Sequence, residues 1–412
     1  MKTVYGKNAL VGQSGGPTAA INASLAGVIA GWLNAGGSGT LYGMANGITG
    51  ILDERLYNLS EMFKDKSNDL DCLKTTPSAA LGSCRMKLPT YEQDSSFYEK
   101  LFELFKKYEI GYFFYIGGND SMDTVDKLSN YADKAEIDVK FVGIPKTIDN
   151  DLCGTDHTPG FGSAAKYIAS VCAETKRDTA VYNQKSVTVI EIMGRDAGWL
   201  TASAALGNTE YSEGADLIYL PEKPFSFEQC FKDVENCLKK RTDVLIAVSE
   251  GIRDKDGNYI SADSTKKDNF GHVVLCGAGE AVRAKIADKF GCKTRAVEIN
   301  TIQRSAGHCL SLTDINESFN VGAFGVNEAI DGKSGIMAAT VRISDTPYAV
   351  KNASFPVCEI ANKVKEVPRE YINADGNGIT EVGLTYLRPL ILGECGPIYH
   401  EGVPKHYIFK KI

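Results

Sequence analysis

Lys146, Thr147, Asp149, Asn150 and Asp151 fall within six consecutive positions, directly after the apolar run Phe141 to Ile144 and the turn residue Pro145. A solvated turn has no need of so many opposite charges. At the end of a buried strand, a carboxylate can take a proton from a hydroxyl while a neighbouring ammonium stabilises negative charge as it moves. Asp149 is therefore read as a general base and Lys146 as its electrostatic partner.

Four other strand ends carry groups that suit the same chemistry. In GQSGGPTAAIN, Gly12 to Asn22, the pair Gly15 and Gly16 permits close backbone approach and Pro17 suits the first turn of a helix. The stretch is neither a Walker loop nor a dinucleotide fingerprint, and an ordinary tight turn would use the same glycines. In YIGGNDSMDTV, Gly117 and Gly118 lead into a helix whose first turn holds Asn119, Asp120, Ser121 and Asp123; helix capping accounts for one or two of these side chains but not all of them. EIMGRDAGWL brings Met193, Gly194 and Arg195 off a strand, where a guanidinium is either a solvated helix residue or a planar fork for phosphate. VSEG sets Glu250 at a strand end, either as an exposed loop carboxylate or as an acceptor for sugar hydroxyls. Together they supply glycine cradles for anions, carboxylates able to hold Mg2+, a lysine, an arginine and a base. Phosphoryl transfer needs this set, because it depends on positioning and on neutralising charge over the transferred group.

The elements that must position these groups follow from the apolar runs NALVGQ, GYFFYIGG, VKFVGIP, SVTVIEIMG, DVLIAVSEG and TRAVEIN, each followed by polar or Gly-rich residues and then a helical pattern. Such alternation predicts an α/β fold with mainly parallel sheets and crossover helices. At 412 residues the chain exceeds one comfortable core, so two doubly wound lobes are expected, the second beginning near GSAAKYIASVCAETKRDTA. Polar Arg253 to Asn269 reads as a surface excursion. The apolar but irregular stretch from Thr380 to Ile412 reads as a segment that packs on a lobe as a cap.

The bulk composition describes an ordinary globular protein, 43% hydrophobic with a net charge of −7. No cluster of lysine and arginine suggests nucleic acid or an anionic membrane as partner. The N-terminus MKTVYGKNALVGQ lacks a signal-peptide core, and no stretch approaches the roughly 20 apolar residues that span a bilayer, so cytoplasmic residence is expected. Eleven cysteines without any C-x-x-C pair fit reduced thiols better than a disulfide frame or a zinc site.

GQSGGPTAAIN, LGSCR, IGGNDS, PKTIDND, MGRDAGW, VSEG and TIQR, in this order over residues 4 to 345, resemble the phosphofructokinase family, and more closely its pyrophosphate-dependent branch. The resemblance implies pyrophosphate as donor, fructose 6-phosphate as acceptor, Mg2+ as cofactor, and a homodimer or homotetramer of two-lobed subunits. It implies a donor lobe of residues 1–162 plus about 303–353, a sugar-phosphate lobe of 163–302, and a C-terminal segment, 354–412, packing on both. By position, Gly15, Arg85, Gly118 and Ser121 would meet the donor, with Asn119 and Asp120 at the metal. Thr147, Asp149 and Asp151 would meet the hydroxyl end of the sugar; Met193, Gly194, Arg195 and Glu250 would line the sugar and its phosphate, and Arg295 and Arg304 would clamp that phosphate near a subunit boundary.

Donor choice rests on two positions. ATP-using members of the family resemble this chain but carry glycine where Asp120 and Lys146 stand. A carboxylate at Asp120 would repel a nucleotide's inner phosphate, which discriminates by excluding the wrong partner, and Lys146 would supply charge stabilisation to pyrophosphate. An ATP-dependent kinase is the alternative within the family. A nicotinamide dehydrogenase would share the alternating fold but needs a G-x-G-x-x-G spacing that GQSGGPTAA lacks.

Overall fold

The computed structural model describes residues 3–4, 6–35, 39–260 and 277–412; part of the expected surface excursion, 261–269, lies outside them. In chain order, the strands of two large sheets begin with β1 (Asn8–Gln13), β2 (Leu41–Met44), β3 (Leu56–Asn58), β4 (Ile110–Gly117) and β5 (Lys140–Pro145). They continue with β6 (Ser186–Ile192), β7 (Leu217–Tyr219), β8 (Asp243–Ser249), β9 (Lys293–Glu298), β10 (Ile336–Asp345) and β11 (Tyr348–Pro356).

One sheet has seven strands in the order β11-β10-β5-β4-β1-β2-β3, and the other has four in the order β9-β6-β8-β7. The smaller sheet is wholly parallel. The larger is parallel through its middle, with antiparallel pairs only at its edges, where β3 joins β2 and β11 joins β10. The architecture is therefore α/β with mainly parallel sheets.

Strands covered on both faces read as unbroken apolar runs, and β4 shows why. Phe113 and Tyr115 point into a cluster with Phe105 and Phe141, while Phe114 and Ile116 point the other way, among Ile21, Leu25 and Ile144. The first face is covered by α2 (Ser95–Lys107) and α3 (Asn119–Lys134). The second is covered by α1 (Ile21–Asn34) and a later helix, α8 (Leu312–Ile330). These last two helices approach so closely that a Cβ on Gly27 would lie 2.0 Å from the Phe319 carbonyl oxygen, and one on Gly322 would lie 2.2 Å from that of Ser24. Only glycine permits that contact.

The four-stranded sheet is covered in the same way. Ile190, Ile192, Leu245 and Ala247 pack on α4 (Phe161–Thr179), and Val187, Val189, Val244 and Ile246 pack towards α6 (Phe227–Leu238) and α7 (Ala278–Phe290). A short helix, α5 (Trp199–Ala202), follows β6. Beyond β11 the chain contributes to both regions: Tyr386, Leu387 and Leu390, on or just after α9 (Glu381–Leu387), join the cluster around α4, and Phe409 joins the cluster around α1. No helix among the described residues is long and apolar enough to cross a membrane.

Candidate active site

A cavity of about 410 Å³ opens where the carboxyl ends of both sheets meet. In doubly wound sheets a ligand crevice lies where the strand order reverses; here β2 lies on one side of β1 and β4 on the other. Gly15 follows β1, Gly118 and Asn119 to Ser121 follow β4, and Lys146 to Asp149 and Asp151 follow β5. From the smaller sheet come Met193 and Arg195 after β6, Glu250 after β8 and Arg304 beyond β9, and all of these line the cavity together with Arg85. Gly194 lies behind the wall, its N–H donating to Glu250 Oε1 at 3.3 Å.

Arg295 is the sequence-predicted residue that stands apart. It sits three positions into β9, opposite Thr188, whereas the cavity lies beyond that strand's carboxyl end. Its side chain is half exposed and pairs with Asp178 at 3.5 Å.

The donor side is shaped by backbone. Gly15 has φ of 77°, a left-handed conformation that favours glycine, and a Cβ there would approach Lys146 Nζ to 3.3 Å. A Cβ on Gly16 would come within 3.2 Å of an Arg304 guanidinium nitrogen. The two glycines therefore leave room for two cations. Helix α3 starts at Gly118 without a side-chain cap, so Asn119, Asp120 and Ser121 are not spent on capping, and the positive end of the helix faces the cavity. Asn119 donates from Nδ2 to the Lys363 carbonyl at 3.1 Å, and its Oδ1 is buried with no partner. Asp120 is exposed towards the cavity.

Lys146 is buried, its ammonium donating to the Gly16 carbonyl at 2.6 Å. Burial lowers its pKa to about 7, the nearby Arg304 and Arg85 push the same way, and Asp149 and Asp151 oppose the shift. Three residues on, Asp149 has an enclosed Oδ1 that meets no hydrogen-bond partner, while its N–H donates to Thr147 Oγ1 at 3.1 Å. Burial raises the Asp149 carboxyl to about 8, reinforced by the Asp151 and Glu250 carboxylates. Asp151 and Glu250 are themselves shifted upward, mainly by burial. Arg304 is shifted downward by burial and by Arg85. Cations and carboxylates line the same cavity, and like charges within each set disfavour one another's charged forms. A polyanion beside the cations and a hydroxyl beside the carboxylates would relieve both.

Other parts of the site lie outside what the sequence motifs suggested. Gln303 Oε1 accepts from the Met193 N–H at 3.2 Å and fixes the turn after β6. Ser83 donates to the Gly15 carbonyl at 2.6 Å. Gln13 and Asn22, both within GQSGGPTAAIN, anchor residues 76–81 through Asn22 Nδ2 to Thr76 and Ser78 carbonyls and Gln13 Oε1 from the Leu81 N–H. The sequence signals them through the polar side chains of its motifs, Gln13 and Asn22 in GQSGGPTAAIN, Ser83 in LGSCR and Gln303 in TIQR, because a polar group near a packed strand end calls for a partner.

Comparison with known proteins gives a consistent family. The phosphofructokinase family model matches residues 8–323. The chain is 41% identical to the pyrophosphate–fructose 6-phosphate 1-phosphotransferase of Methylococcus capsulatus over 403 residues, covering 97% of this chain and 95% of that protein. The enzyme of the same name from Halomonas elongata is also 41% identical, over 97% of this chain and 95% of its own length. Among solved structures, the pyrophosphate-dependent phosphofructokinase of Nitrosospira multiformis superposes with a TM-score of 0.88 at 37% identity, covering 98% of this chain and 97% of that one.

Proposed function

The chain belongs to the phosphofructokinase family, and we propose that it moves a phosphoryl group reversibly from pyrophosphate to the C1 hydroxyl of D-fructose 6-phosphate, giving fructose 1,6-bisphosphate and orthophosphate. The observation that carries this reading is that Lys146 and Asp149, three residues apart on the loop after β5, both line one cavity. The ammonium touches only a backbone carbonyl among the described residues, and the carboxyl has a buried oxygen without a partner. Both are placed for groups the protein itself does not supply.

Pyrophosphate would lie between the Gly15–Gly16 turn and the start of α3, with Gly118 and Ser121 against it and Lys146 and Arg85 around its charge. Fructose 6-phosphate would lie against Thr147, Asp151, Met193, Arg195 and Glu250, with Gly194 behind them holding Glu250 and Arg304 at the sugar's phosphate, and its C1 hydroxyl at Asp149. Asp149 takes the hydroxyl proton as the oxygen attacks the near phosphorus. Lys146 holds the charge that builds on the transferred group, and orthophosphate leaves. In reverse, Asp149 returns the proton.

Mg2+ fits the donor wall. The unpartnered Asn119 Oδ1 and the Asp120 carboxylate are hard oxygen donors, and this cation is commonly held by one or two protein oxygens together with substrate phosphates. Bound there, it would neutralise phosphate charge. Asp120 would also set the donor choice, its carboxylate, exposed at the cavity, repelling the inner phosphates of a longer polyphosphate chain.

Residues 1–162 with about 303–353 would form the donor lobe, 163–302 the sugar-phosphate lobe, and 354–412 the segment packed on them. Arg295, directed away from this chain's cavity, would serve the sugar phosphate of a neighbouring copy in a cytoplasmic homodimer or homotetramer. The reaction is tested in reverse: fructose 1,6-bisphosphate and orthophosphate, with Mg2+, should yield pyrophosphate at a rate comparable to the forward reaction. Fast forward turnover with no detectable reverse reaction would overturn the donor assignment.

A further inference from the structure

The loop that carries Asp149 and Asp151 is held from behind by a residue far along the chain. Between the two carboxylates sits Asn150, fully buried and left-handed, with φ of 53°. Asparagine enters that conformation more readily than other non-glycine residues, and here three partners fix its side chain. Its Oδ1 accepts from the Thr158 N–H at 3.1 Å and from Lys365 Nζ at 3.2 Å, and its Nδ2 donates to the Tyr386 hydroxyl at 3.2 Å. The Lys365 ammonium also donates to the carbonyls of Asp156, at 2.6 Å, and Thr155, at 3.2 Å.

The backbone of Lys365 is tied to the same place. Its N–H donates to the Asp151 carbonyl at 2.8 Å, its carbonyl accepts from the Trp199 indole at 2.9 Å, and the preceding Val364 bridges Leu152. Two residues earlier, the Lys363 carbonyl holds Asn119. One short strap thus touches the base loop, the start of α3 and the helix after β6. All of it lies beyond residue 323, where the match to the family model ends.

We propose that Lys365 is a positioning residue for phosphoryl transfer, its ammonium clamping Asn150 so that Asp149 and Asp151 on either side are presented to the acceptor hydroxyl. Packing alone would be served by an uncharged side chain of similar length. What the charge adds is three short contacts to oxygens of the loop and a cation close to a pair of mutually repelling carboxylates. The charged and titratable groups around it are Asp151, Cys153 and Asp156 on the loop and Arg342 from β10, and the Trp199 ring lies 5.3 Å away. Burial draws the amine down to about 8, against the pull of Asp156 and Asp151.

The inference rests on the proposed transfer reaction, so its test starts from wild-type protein with measured pyrophosphate-dependent turnover; absence of that turnover would refute the reaction, whereas the variants bear only on Lys365. Lys365→Met should lower kcat on the order of 10–100-fold, as expected when a catalytic group is displaced by about 1 Å, with KM for fructose 6-phosphate changed far less. Losing a nearby cation raises the apparent pKa values of the coupled Asp149 and Asp151 pair, so the acid limb of the rate profile should move to higher pH. Lys365→Arg should restore most of the rate and the original limb. If Lys365→Met fails to fold, Lys365→Gln takes its place against the same arginine variant. A rate within about twofold of wild type with an unmoved acid limb would overturn the proposal, as would a loss confined to thermal stability.

Discussion

Two buried lysines divide this molecule into a part built for stability and a part built for chemistry. Lys176, on α4, is buried and its ammonium meets Asp216 at 2.7 Å and Asp243 at 2.5 Å, with Arg241 completing the network on Asp216. Lys146, on the loop after β5, is buried to a similar degree, yet its ammonium meets one backbone carbonyl, and the carboxylates that face it keep their distance. The scaffold satisfies the first charge completely. The second is left short of partners beside a cavity, which costs stability in the empty protein and leaves its field available to a ligand.

The sharpest way to break this contrast is at the base. Asp149→Asn should lower kcat by about 10²–10⁴-fold, the range for losing general acid–base catalysis, with fructose 6-phosphate binding largely kept. In wild type, kcat/KM should fall as pH drops below about 8 because a raised carboxyl is protonated there, and Asp149→Asn should lose that acid limb. Steady-state kinetics across pH measures both, and near-normal turnover in the variant would remove Asp149 from the mechanism.

Next comes a difference in sign. Lys176→Met leaves Asp243 buried without its cation and Asp216 with Arg241 alone, and should cost about 3–5 kcal/mol of stability while kcat changes little. Lys146→Met removes a charge that folding disfavours and should stabilise the unliganded protein while slowing transfer. The pH dependence follows from the shift. A lysine whose folded pKa is depressed to about 7 loses stability for the fold as pH falls from its unfolded value towards 7, and below that the loss is complete. The gain in Lys146→Met should therefore be larger at pH 6 than at pH 10. Denaturant titrations of both variants at the two pH values decide it; destabilisation by both would erase the distinction.

The sequence made the cavity-facing residues readable for a physical reason. Parallel strands buried on both faces announce themselves as apolar runs, and the residues just past them must lie at the carboxyl edge of the sheet, so Gly15, Asp120, Lys146, Asp149 and Glu250 could be placed without coordinates. Arg295 shows the limit of that rule, because its motif marked the right strand while its position within β9 set it away from the end that faces the cavity. Lys365 and Tyr386 were not readable at all. Their contacts with Asn150 span 215 and 236 residues, and neither lies next to a strand end that periodicity could mark.

The most direct test of the account is a comparison of kcat/KM for pyrophosphate and for ATP in the wild-type protein, at fixed Mg2+ and fructose 6-phosphate, with Asp120→Gly alongside. Placing like charges together costs several kcal/mol, and each 1.4 kcal/mol is tenfold, so wild type should favour pyrophosphate by roughly 10²–10³-fold or more. Asp120→Gly should narrow that ratio by admitting ATP. A wild-type protein that prefers ATP would contradict the reading of Asp120 and Lys146 and return the chain to the ATP-dependent alternative.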